Sequence, residues 1–151
     1  MPSLPAGILP ADLDWAAVDK LARRYALGVP LIDRQHRMLF AWYVSLRDAP
    51  DAQQVADGLL AYASRHFADE ETWAFELGLE IAVHQQRHDQ LLANLEMLQD
   101  GAQRSHVTSL AFEWLTIHID VEDRALVEQH RIAVETGRIR RPPGGVEQKP
   151  A

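Results

Sequence analysis

The stretch HQQRHDQ places His84 and His88 four residues apart. On a helix such residues are neighbours on one face, so two imidazoles can hold one cation side by side. His66 and Glu70 share that spacing and offer a nitrogen and a carboxylate to a common centre, while His36 and His118 stand alone. Gln85 occupies the place of the general-base glutamate of an HExxH protease, which excludes that chemistry. The Glu-x-x-His repeat of carboxylate-rich di-iron bundles occurs nowhere in the chain. With no cysteine there is no disulfide, thiolate nucleophile or Cys-based metal site. Five imidazoles exceed the four ligands of a structural zinc. They suit a pair of borderline metals such as iron, with carboxylates between them.

The elements that must position these residues read as helices. Ile32, His36, Leu39/Phe40 and Tyr43 recur at helical spacing and stop near Asp48-Ala49-Pro50. Val55, Leu59, Tyr62, His66, Glu70, Trp73 and Leu77 form a second stripe, closed by Gly78. Ile81, His84, His88, Leu91, Leu95 and Leu98 form a third, closed by Asp100-Gly101. Val107, Leu110, Trp114, His118, Val121 and Ala125 form a fourth, fading before Gly137. Four helices of roughly 16–26 residues with short connections predict an all-α, antiparallel up-down-up-down four-helix bundle. Each apolar stripe then carries histidine into the core. A lone core histidine is more often a hydrogen-bonded packing residue than a ligand. Five of them with a carboxylate on four facing helices need joint compensation, which a metal cation supplies.

The remaining features bound the class. At 151 residues and 47% apolar content the chain suits one domain with a real core. We expect an extended lead-in over residues 1–14, the helical domain over 15–136, and a flexible Pro/Gly/Arg tail over 137–151. A formal net charge of -7 argues against nucleic acid or an anionic membrane as partner. The start MPSLPAGILPADL lacks the basic residues of a secretory signal, and no apolar run is long enough to insert in a membrane. A cytoplasmic location is the resulting expectation.

Four blocks in order resemble the hemerythrin family, specifically its single-domain bacterial members. They are Leu27-Gly28-Val29 with Ile32-Asp33-x-Gln35-His36, then His66-Phe67-x-x-Glu70-Glu71, then His84-x-x-x-His88, then Trp114-Leu115-x-x-His118-Ile119-x-x-x-Asp123. The resemblance implies two iron ions joined by an oxo or hydroxo group, with His84, His88 and His118 on one and His36 and His66 on the other. It makes Glu70 and Asp123 the bridging carboxylates. Spacing alone would favour Glu122 over Asp123, because in an α-helix Asp123 lies about 140° around from His118. Asp120 is a third candidate.

Counted against two six-coordinate irons, that ligand set leaves one position open, on the iron of His36 and His66. The family binds dioxygen reversibly at such a position, which implies oxygen transport, storage or delivery to an oxygen-consuming enzyme, by a binding protein and not an enzyme. Phe67, Trp114, Leu115 and Ile119 resemble the apolar oxygen pocket of the family. An oxygen or redox sensor working through a signalling partner is one alternative, with Arg138-Ile139-Arg140-Arg141 as its docking feature. An enzyme handling peroxide, nitrite or nitric oxide is another. Glu71, His106 and His130 are expected at the surface, and Asp33 as a cap of the first helix.

Overall fold

Proline, glycine and a few acidic side chains set where the helices start and stop. The computed structural model describes residues 9–139, so the first eight residues of the expected lead-in, most of the expected tail, and Arg140 and Arg141 lie outside the described residues. Residues 9–14 are non-helical, and Leu13 is buried against the first helices.

Helix α1 spans Trp15–Arg24 and is capped by Asp14, whose carboxylate accepts from the Ala17 amide at 3.1 Å. Its Val18 is fully buried, and Arg37 of the next helix ties it down by bonding Asp19 at 2.7 Å while lying over the Trp15 ring. This helix was not expected: its ten residues show too short an apolar stripe to stand out.

Helix α2 spans Pro30–Asp48, with proline in its first turn where a missing amide hydrogen costs nothing. The Asp33 carboxylate accepts from the amides of Leu27 and Gly28 at 2.7 and 2.9 Å. It therefore ties down the turn before the helix rather than the helix's own first amides. Gly28 sits there at φ 86°, a conformation that glycine adopts without strain. Helix α3 spans Gln53–Glu76 and closes on Gly78, whose amide bonds the Phe75 carbonyl while that of Leu79 bonds Ala74.

Helix α4 spans Ala82–Leu95 and tightens into a 3-10 turn over Glu96–Gln99. Helix α5 spans Arg104–Ile117, runs directly into a π-helical segment over His118–Asp123, and continues as α6 over Arg124–Glu135. The described elements are thus all helical. Helix α2 packs on α1, α3 and α5; α3 packs on α4, and α4 on α5. Among the described residues no helix is long and apolar enough to cross a membrane.

Two apolar clusters bracket the polar positions. One includes Leu39, Leu59, Ala63, Leu91 and Leu115; the other includes Ile32, Trp73, Leu79 and Leu126. Along α2, His36 falls between Ile32 and Leu39; along α3, His66 and Glu70 fall between Ala63 and Trp73. His84 and His88 fall between Leu79 and Leu91, and His118 and Asp123 between Leu115 and Leu126. Every histidine-bearing stripe therefore passes from apolar packing, through the polar layer, to apolar packing again.

Close packing in the first cluster generates a test. A methyl group on Gly58 would overlap ring atoms of Trp42, an indole only 2% exposed and unable to swing away. Overpacking costs about 1–3 kcal/mol, against a helix-propensity gain of about 1 kcal/mol from removing glycine. We predict that Gly58→Ala lowers the denaturation midpoint; an unchanged or raised midpoint would show that the indole shifts freely.

Candidate metal centre

Seven residues from all four histidine-bearing stripes converge. Glu70, His84, His88, His118 and Asp123 can each turn one ligand atom to a common point, as can His36, His66, Glu70 and Asp123, with the atoms of each group within 4.8 Å of one another. All seven side chains are buried, His84 being the most accessible at 8%.

The donor atoms divide cleanly. Glu70 Oε1 lies 2.5 Å from His84 Nε2 and 3.2 Å from His88 Nε2, whereas its Oε2 lies 3.4 Å from His66 Nε2. Asp123 Oδ1 lies 2.9 Å from His84 Nε2 and 3.0 Å from His118 Nε2, whereas its Oδ2 lies 3.0 Å from His36 Nε2. Each carboxylate thus turns one oxygen to a three-histidine group and the other to a two-histidine group. Within the groups, His88 Nε2 faces His118 Nε2 and His36 Nε2 faces His66 Nε2, both at 3.1 Å. Glu70 Oε2 and both Asp123 oxygens are buried and accept no hydrogen bond among the described residues. Buried carboxylate oxygens without donors, ringed by inward-facing imidazole nitrogens, fit cations.

Asp123 reaches this centre because the backbone changes pitch. In an α-helix residue i+5 is rotated about 140° from residue i. Over His118–Asp123 the chain is π-helical, with bonds between residues i and i+5, so both ends of the segment face the same side. Glu122, the better candidate on α-helical spacing, is displaced outward. Asp120, the third candidate, is exposed and paired with Arg124 at 2.9 Å.

Three of the outward nitrogens have partners that spacing could not assign. His88 Nδ1 donates to Glu71 Oε2 at 2.7 Å, and His118 Nδ1 to Glu122 Oε1 at 2.9 Å. His66 Nδ1 donates to Gln35 Oε1 at 2.7 Å, while the Gln35 amide donates to Asp69. Glu71 is therefore not a solvated bystander: rotated off the α3 stripe, it is turned toward the neighbouring α4. The signal available in the sequence was adjacency, since Gln35, Glu71 and Glu122 each sit beside a residue of the centre.

Residues 27–129 match the family of the hemerythrin HHE cation binding domain. The chain belongs to the hemerythrin family. No curated protein and no solved structure matches it. The hemerythrin match spans all seven converging residues, so the family's cation-binding character and the donor set agree.

The apolar residues expected beside a hemerythrin centre lie in different surroundings. Phe67 is buried and stacks on His88 with ring centroids 4.2 Å apart, meeting His118 edge-on. Leu115 shares its cluster, while Ile119 is buried in a separate one with Phe40 and Tyr43. Trp114 is only half-buried and lines a surface groove between α4 and α5 with Arg87, Leu91 and Ile117. His106 is exposed as expected, but His130 is half-buried, with its ring edge-on to Trp73.

Charges in the metal-free centre compete with cations. Burial alone would lower the His84 imidazole, but the Asp123 and Glu70 carboxylates push it up to about 9. Burial is likewise overcome at His118, where Asp123 and Glu122 raise the imidazole to about 10. Burial, reinforced by the neighbouring His36, holds His66 well below the ordinary value of 6.5. A histidine raised in the fold stabilises it fully below the unfolded value and loses that contribution as pH rises through the folded one. We predict that the metal-free protein melts at lower temperature at pH 10 than at pH 7, and that cation uptake near pH 7 releases protons. A flat melting profile with no proton release would contradict these charge states.

Proposed function

We propose that this protein is a di-iron, reversible dioxygen-binding protein serving oxygen transport, storage or delivery. The observation that carries the reading is the division of five Nε2 atoms into three and two by carboxylates that turn one oxygen to each side. In this reading His84, His88 and His118 would hold one iron and His36 and His66 the other, with Glu70 and Asp123 available to both. Iron held there would supply the redox chemistry for reversible binding of dioxygen.

The chain's own residues do the rest. Phe67, packed against the His88 and His118 rings, together with buried Leu115 and Ile119 would keep water and outside protons from the centre. Glu70 and Asp123 supply two negative charges against the cations, which limits the net charge that the apolar surroundings must tolerate. The short connections at residues 49–52 and 77–81 support reading the four long helices as an antiparallel up-down-up-down bundle. Oxygen carriage without turnover, in the cytoplasm, completes the proposal.

Iron analysis with optical spectroscopy tests it. The reduced protein should carry two irons per chain and gain a visible band on aeration that disappears on deoxygenation. About one zinc and no iron per chain would overturn the reading. His118→Ala should lose iron, whereas His106→Ala, altering an exposed residue, should retain it; full iron occupancy in the His118 variant would remove this ligand set.

A further inference from the structure

The three-histidine and two-histidine groups differ in what stands behind the imidazoles. In the first, His88 and His118 donate their outward Nδ1 hydrogens to carboxylates, those of Glu71 and Glu122. In the second, His66 donates to the neutral amide oxygen of Gln35, and the buried Nδ1 of His36 has no hydrogen-bond partner among the described residues. Behind Gln35, one bond further out, Asp69 accepts from the Gln35 amide at 2.8 Å and pairs with Arg65 at 3.3 Å.

An imidazole that donates to a carboxylate is a stronger electron donor through its other nitrogen than one that donates to an amide. The hydrogen bond also fixes the tautomer, so that Nε2 presents its lone pair to the centre. Glu71 arrives from α3 onto a histidine of α4, 17 residues away in sequence; Glu122 arrives within the π-helical segment and is braced by Arg87 of α4 at 3.0 Å. Both carboxylates are about a quarter exposed while touching a buried imidazole.

Resting on the di-iron reading, we infer that Glu71 and Glu122 are positioning residues that make the two cation positions unequal. They strengthen the three-histidine position selectively, so that it fills first and holds its cation as an anchor. The two-histidine position, backed by an amide, binds more weakly and stays the responsive one. Ligand number alone would give the same order of filling, but it would not depend on these two carboxylates.

Stepwise titration of the metal-free full chain with Co(II), followed by its visible bands, reads the two positions separately. Glu71→Gln and Glu122→Gln keep a hydrogen-bond acceptor of the same shape and remove only the charge. Each should weaken the first equivalent roughly 10–100-fold and leave the second unchanged. Gln35→Leu should weaken the second equivalent only. In the iron-loaded protein Glu71→Gln should also raise the potential of the tighter iron, a shift that mere structural support would not produce.

Two equivalents bound with unchanged affinities and potential in the Glu→Gln variants would overturn the inference while leaving the di-iron reading intact. A change confined to the melting temperature of the metal-free variants would overturn it equally. Uptake of a single equivalent by the unaltered chain would instead remove the di-iron reading on which it rests.

Discussion

The structure depends on burying two carboxylates and five imidazoles in the middle of an apolar core. Taking one carboxylate out of water costs several kcal/mol even after relaxation, and a fold of this size has a net stability of only about 5–15 kcal/mol. Three of the four oxygens involved make no well-aligned hydrogen bond among the described residues. Such a layer is tolerable only where opposite charge faces it from several sides. Protons on His84 and His118 can serve in the metal-free chain, and cations serve better because one ion satisfies several donors at once.

This requirement explains the layout of the bundle. The polar layer is narrow, and Leu- and Trp-rich packing closes it off on both sides along each long helix. The clusters hold the helices in register, and the register holds the donor atoms within a few ångströms of one another. Where ordinary helical geometry would have missed, the backbone gave way instead: the π-helical segment lets α5 and α6 continue as one rod while Asp123 turns inward.

The ring outside the donors is less symmetrical than the ring within it. Glu71, Glu122 and Gln35 come from elements other than that of their histidine or from a non-standard turn, and the first two bring negative charge to one side of the centre only. Family membership speaks to the inner ring and the cation. The outer ring depends on how these helices meet, and in the inference drawn above it adds to the difference that three histidines against two already make.

Much of this was legible in the sequence. Helical periodicity placed His36, His66, Glu70, His84, His88 and His118 on the buried stripes, because that spacing is a property of the chain itself. Gly78 and Gly137 marked helix ends for the same local reason. Helix α1 did not stand out, since its place depends on Arg37 and on burial of Val18 against α2. The choice between neighbours also lay beyond the sequence. Glu70 faces in while Glu71 reaches across to His88, and Asp123 faces in while Glu122 braces His118 from outside. Residue types and local spacing determined which chemistry the chain can perform. Only the tertiary structure decided which acid plays which part, because a pitch change in one helix and contacts between residues far apart in the chain, such as His36 with Asp123, are set by packing.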